Sequence, residues 1–224
     1  VACVHARIIQ AGRGGWWLVL GCGFAVAGAC LAQDGEFGLA AGYGIYRNAS
    51  VYSPAGKAAA GFRNRYVISA LIGENLYDRI GGEVRYTYQD GDPFLSAGGV
   101  RTNIQGQSHA FHYDLLFYSR PREARIRLYA AVGAGAKLFV VSGPENPQPP
   151  LGEIARLRSK DEFKFLASFG GGVKWRVSRN VLFRIDFRDY LSPFPKKLIE
   201  PAPFGTGRGL FQQFTPMAGL SYTF

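Results

Sequence analysis

Two histidines stand close together near the middle of the chain. Ser108 precedes His109, and His112 is followed two residues later by Asp114. Serine, histidine and a carboxylate are the set that activates a hydroxyl nucleophile, provided the hydroxyl lies within hydrogen-bond reach of the base. In an extended chain, side chains alternate between faces, so Ser108, His112 and Asp114 share one face and His109 takes the other. No GxSxG, Walker or metal-ligand spacing accompanies them. The other candidates for chemistry are charges that fall inside apolar alternating segments: Glu83, Arg85, Lys137, Lys174, Arg184, Asp186 and Arg188. With Asp114 they make three acids and five bases, a set that can form ion pairs and little else unaided.

The segments carrying these charges must present them on one side only. Helix periodicity is nearly absent after residue 34, and strict alternation over about ten residues recurs, which is the mark of strands with two different faces. Val84, Tyr86 and Tyr88 oppose Glu83, Arg85, Thr87 and Gln89; Phe183, Ile185 and Phe187 oppose Arg184, Asp186 and Arg188. His109, Phe111, Tyr113, Leu115 and Phe117 oppose Ser108, Ala110, His112, Asp114 and Leu116. In the first strand Phe37, Leu39, Ala41, Tyr43 and Ile45 form one face, and glycines with Ala40 fill much of the other. The pattern predicts eight strands, near 35–46, 60–74, 80–90, 105–118, 126–140, 163–177, 181–191 and 210–224. The second has apolar residues on both faces around Tyr66 to Ile72.

The connections alternate in length. Long polar segments, 47–59, 91–104, 141–162 and 192–209, follow the odd-numbered strands; short ones, 75–79, 119–125 and 178–180, follow the even-numbered ones. An even number of antiparallel strands closes without free edges, and short turns at one end with long loops at the other are the signature of a transmembrane barrel. A soluble barrel would coat its outside with solvated charge. Here the polar faces are sparse, mixed in sign and interrupted by Gly133, Gly135, Gly170 and Gly172, which suits a narrow, crowded interior, whereas the Phe, Tyr, Leu, Val and Trp175 of the other faces suit lipid. The expected architecture is therefore all-β: an eight-stranded antiparallel up-and-down transmembrane β-barrel over residues 33–224.

Residues 1–32 have the layout of a cleavable signal peptide. Arg7 and Arg13 precede an apolar or small stretch from Trp16 to Ala32, which ends Ala29-Cys30-Leu31-Ala32 before Gln33-Asp34. All three cysteines, Cys3, Cys22 and Cys30, lie in this leader, so the remainder has no disulfide, thiolate metal site or cysteine nucleophile. The formal net charge is +10, and without the leader 24 bases face 16 acids, or +8. No run of five Lys or Arg and no nucleic-acid signature is present, so the excess is assigned to loops and turns, not to a nucleic-acid partner.

The last residues, Gly219-Leu220-Ser221-Tyr222-Thr223-Phe224, alternate aromatic and apolar side chains up to a terminal Phe. On an eight-strand pattern this looks like the assembly signal of outer-membrane barrels, carried by Gly219, Leu220, Tyr222 and Phe224. Residues 35–224 resemble the OmpA-type eight-stranded outer-membrane β-barrel domain family, as the barrel alone without a peptidoglycan-binding domain. The resemblance implies export through the periplasm to the outer membrane of a Gram-negative-type bacterium. It also implies handling by periplasmic chaperones and the barrel-assembly machinery, and contact with outer-membrane lipids and lipopolysaccharide. A monomer without cofactor is expected.

Three functions remain open at this level. The first is a non-enzymatic barrel with a structural or surface-loop binding role and a narrow polar lumen. The second is a small gated pore with a slight anion preference, since bases exceed acids inside. The third is a lipid A-modifying hydrolase. Lipid A deacylases place His and Ser at alternate positions on the outer face; here Ala110 and Phe111 follow His109, so that arrangement is missing. The charges are expected to pair, because a buried ion is costly alone. The loops with Gly143–Pro150 and with Ser192-Pro193-Phe194-Pro195-Lys196-Lys197 are the candidate binding segments.

Overall fold

The computed structural model describes residues 35–145 and 151–224. The expected leader lies outside the described residues, as does most of the proline-rich stretch in the third long connection. The strands run in chain order β1 (Gly35–Arg47), β2 (Ala49–Ser53), β3 (Gly56–Phe62), β4 (Arg65–Tyr77), β5 (Ile80–Asp90), β6 (Pro93–Ala97), β7 (Val100–Asn103), β8 (Gln105–Tyr118) and β9 (Ile126–Ser142). A one-turn helix, α1 (Leu151–Ile154), precedes β10 (Ala155–Leu157), β11 (Glu162–Arg176), β12 (Val181–Pro193), β13 (Ile199–Pro201), β14 (Thr206–Arg208) and β15 (Leu210–Thr223).

Eight of these close a barrel in the order β1-β15-β12-β11-β9-β8-β5-β4, every pair antiparallel. The seam joins the first strand to the last: Gly35 N–H donates to Phe224 O at 3.2 Å and Phe224 N–H to Gly35 O at 3.0 Å. Alternation then sorts the side chains. Leu39, Ile72, Phe111, Leu128, Phe165, Ile185 and Leu220 project outward and exposed, while their chain neighbours are turned in. A continuous apolar exterior over an ionic interior is the polarity of a membrane barrel and the reverse of a soluble one. Seven of the barrel strands, at 13 to 17 residues, exceed the roughly 9–11 needed to cross a bilayer, and β5 matches it with 11.

Seven of the eight strands lie within two residues of the positions expected from alternation. The second does not. Residues 60–62 belong to β3, the chain breaks at Arg63-Asn64, and the barrel strand begins at Arg65. Asn64 fixes the break, its Oδ1 accepting from Tyr46 N–H at 2.9 Å and its carbonyl from the Tyr43 hydroxyl at 2.9 Å.

The long connections are not plain solvated loops. β2 and β3 from the first, β6 and β7 from the second and β14 from the fourth build a five-stranded sheet, β14-β2-β3-β6-β7, and β10 pairs with β13 to tie the third connection to the fourth. This cap encloses its own apolar core with Phe62 at its centre, its ring 5.1 Å from both Tyr46 and Phe139 and 5.4 Å from Phe211. The four long connections are polar on average, but Val51, Leu95, Leu151, Leu157, Phe194 and Ile199 within them, with Ala60 and Phe62 from the start of the expected second strand, are placed so that each buries its side chain against the others.

Candidate functional site

The lumen is the site that the barrel positions. At its middle, Arg184 reaches three carboxylates at once: Nε donates to Asp186 at 3.0 Å, Nη1 to Glu36 at 2.9 Å and Nη2 to Glu83 at 2.8 Å. Arg85 bridges Glu83 at 2.8 Å and Asp186 at 3.2 Å, and Arg188 donates to Asp114 at 3.1 Å and approaches Glu83 at 3.5 Å. Lys174 closes the lower end on Glu36 and the Tyr118 hydroxyl. Four acids and four bases thus balance in one network, and the side chains of Glu83, Arg85, Asp114, Arg184, Asp186 and Arg188 have no exposed surface. Charges buried in this way are stable only when paired and hydrogen-bonded; each of the eight has at least one hydrogen-bonded partner, while Nη1 of Arg85 and Nη1 of Arg188 are buried without one.

The bulk of three arginines fits because the facing wall is stripped of side chains. Gly38, Gly42 and Gly44 with Ala40 line the lumenal face of β1. On β9 and β11 the approach is comparably close: a Cβ at Gly135 would lie 2.5 Å from the Cβ of His112, and one at Gly172 would lie 2.7 Å from the Tyr129 hydroxyl. These glycines are shape complements of the plug, as the broken polar faces of the sequence suggested.

Above the ions comes a layer of hydrogen-bonded polar side chains. His112 pairs with Asp114 at 3.0 Å and with the Tyr190 hydroxyl at 3.2 Å, and Thr87, Ser69 and Tyr190 continue the chain of hydrogen bonds. Lys137 sits higher, donating to the Tyr46 hydroxyl at 3.0 Å and to Gln213, with its ammonium 4.9 Å from the Tyr46 ring. Over it lie Phe62, Phe139 and Phe211 of the cap core. The lumen is filled in three storeys: ion pairs, hydroxyls and amides, then rings.

All eight charges singled out in the sequence are turned into the lumen and buried, and seven of them join the network. Lys137 does not: among the described residues it meets hydroxyl, amide and ring and no carboxylate, because its position on β9 is level with Tyr46 and Gln213 and not with the acids. Glu36 was missed. It shares the even parity of the glycine face of β1, and that parity was the available signal. The four lumenal tyrosines, Tyr46, Tyr118, Tyr129 and Tyr190, were also missed because aromatics were assigned to lipid.

The histidine constellation separates. His109 is on the outer face, hydrogen-bonded through Nδ1 to the Tyr86 hydroxyl at 2.7 Å beside Tyr88, whereas Ser108 is inside and bonded to Tyr46. At the C-terminus, Leu220, Tyr222 and Phe224 face outward, and Gly219 lies where a Cβ would meet the β1 backbone at Leu39 O, 2.2 Å away.

This geometry can be set beside known proteins. No family model and no curated protein matches the chain. Among solved structures it is similar to the outer membrane protein AlkL, with a TM-score of 0.51 and 14% identity over 100% of this chain and 97% of that one. Weaker likenesses are to Neisserial surface protein A (TM-score 0.48, 13% identity, 84% of this chain and 97% of that one) and to OprG of Pseudomonas aeruginosa (0.48, 12%, 85% and 96%). The fold is that of a small outer-membrane barrel. These identities carry the fold and nothing about activity.

Proposed function

We propose that this chain is a closed, non-enzymatic barrel of the bacterial outer membrane, with a structural role inside and a binding role at its folded outer cap. The supporting observation is the filled lumen: no part of the six central charged side chains is exposed, and an aromatic seal covers the upper storeys. A pore needs a continuous wetted path, and re-pairing of eight ions under a packed aromatic core would have to create one. The cap offers a rigid outer surface, the usual place for recognition on a scaffold of this kind. Lipopolysaccharide is the partner that the basic outer loops would meet first, and the chain acts as a monomer.

Planar-bilayer recording of the refolded protein tests the closed state. Steps of conductance in the wild type would replace this reading with that of a small gated pore, with a slight anion preference from Lys137, the base outside the balanced network. Absence of steps, together with an unboiled band that migrates differently from the boiled one, supports a closed folded barrel. Biogenesis is tested separately: removal of Phe224 slows assembly if the C-terminal strand is read by the barrel-assembly machinery, and unchanged assembly overturns that part.

A further inference from the structure

The end of the barrel opposite the cap has a distinctive charge. Its turns and strand ends carry Arg79, Arg120, Arg122, Arg125, Arg176 and Arg179; the turns themselves hold no lysine and only Asp78 and Glu123 as acids, with Glu74 at the end of β4 and the buried Lys174 at the end of β11. Two of these arginines are tied down, together with one neighbour. Arg176 donates to the Arg122 carbonyl at 2.6 Å, Arg122 pairs with Glu123 at 3.3 Å, and the neighbouring Arg127, stacked on Tyr118 at 3.6 Å, donates to the Asp78 carbonyl at 3.0 Å and to Asn75. These bonds hold the first two turns and the end of β11 in one rim. Arg79, Arg120, Arg125 and Arg179 are left exposed, none paired with a carboxylate among the described residues.

Immediately beside them the wall presents Leu76, Tyr77, Ile126, Trp175, Val177 and Phe224, all exposed, Tyr77 at 73%. A ring of aromatics and aliphatics under a ring of cations is the arrangement of a membrane interface, with apolar bodies in the acyl region and charges at headgroup depth. The exclusive use of arginine narrows the chemistry: its planar fork matches phosphate bidentately, which a lysine ammonium does not.

We propose that the four free arginines of this rim bind the phosphates of anionic phospholipids in the periplasmic leaflet and so anchor the short-turn end of the barrel. The proposal rests on the outer-membrane reading above, which puts the short turns in the periplasm.

The test refolds the full chain into vesicles of phosphatidylcholine alone and of phosphatidylcholine mixed with phosphatidylglycerol, and reads the urea midpoint from the unboiled gel band. The wild type is expected to have the higher midpoint in the anionic vesicles, with the increment shrinking at high salt. Replacing Arg79, Arg120, Arg125 and Arg179 together by Gln should abolish the increment while the midpoint in phosphatidylcholine stays put. Lys196→Gln with Lys197→Gln, at the cap end, should keep it. An increment that survives the fourfold replacement overturns the proposal. So does a fourfold variant that keeps the increment but loses co-sedimentation with purified peptidoglycan, which would make the cell wall the partner. Failure to show a folded band in either vesicle would instead strike the outer-membrane reading itself.

Discussion

Glu36 on β1 and Arg184 on β12 are 148 residues apart in the chain and 2.9 Å apart in the barrel, Nη1 donating to Oε1 over the lumenal face of β15, which lies between the two strands only because the first strand has met the last. The bond reports closure, and Arg184 carries two more carboxylates besides. Replacing Arg184 by Ala leaves Glu36, Glu83 and Asp186 short of a cation inside a packed lumen, and removing one partner from a buried network costs about 3–5 kcal/mol. Urea titration of the vesicle-inserted protein should show that loss. Adding Glu83→Gln to Arg184→Ala should recover part of it, since the stranded acid is then neutral; recovery of none would mean that the energy lies elsewhere.

The residue next to Arg184 tests the opposite face. Ile185 is exposed on the lipid side and paired in register with Val173 and Ala218, both within barrel strands. Ile185→Arg at mid-membrane depth should cost about 2–4 kcal/mol, against near silence for the same change at Val177 beyond the strand. Comparable small costs at both sites would place Ile185 out of the hydrocarbon.

These two neighbours explain why so much of the barrel was legible. A side-chain period of two makes the face of every residue follow from its parity once one face is known, and the contrast between Ile185 and Arg184 or Asp186 leaves no doubt about which is which. The same reasoning failed where chemistry and parity disagree. Tyr46, Tyr118, Tyr129 and Tyr190 stand on the lumenal parity, yet their rings read as lipid-facing by chemistry alone; glycines make room for two of them, Gly81 for Tyr118 and Gly172 for Tyr129. The cap was illegible for a different reason. Its strands are three to seven residues long, and its core draws on all four long connections, so no single segment displays the burial pattern.

The cap should melt apart from the barrel. Phe62 contacts Tyr46, Phe139 and Phe211, and truncating a buried Phe to Ala costs about 3–5 kcal/mol. Because the ion network lies below and shares no side chain with the aromatic core, Phe62→Ala should raise hydrogen exchange in β2, β3 and β6 while the unboiled gel shift persists. Conductance should stay absent, since the ionic storey remains. Loss of the gel shift would mean that cap and barrel fold as one unit.

The outer loops also hold a pH-dependent contact. Glu145 accepts the Ser159 N–H at 2.8 Å and an Arg158 Nη1 bond at 3.0 Å, and these two interactions lower its pKa from the ordinary 4.5. A carboxylate with a lowered folded value stabilises above its unfolded value and loses that contribution as pH falls through the folded one. The Ser159 amide should therefore stay protected from exchange at neutral pH and down through 4.5, and lose protection only in stronger acid. Glu145→Gln should be flat over the same range; an identical acid loss in that variant would put the titration in another group.

Phe204 combines two features that ordinary loops avoid, a positive φ of 65° on a residue with a Cβ and a ring that is 95% exposed. The backbone conformation costs a non-glycine residue about 1–2 kcal/mol, and the exposed ring returns nothing to folding. Strain of this kind persists where the surrounding chain imposes it, and here Gly205 N–H bonds back to Ala202 O at 2.7 Å and closes the turn around Phe204. Phe204→Gly should relieve the strain and slow local exchange between β13 and β14, while Phe204→Val should speed it. If Gly instead loosened the segment, the ring would have to be contributing packing that its exposure denies.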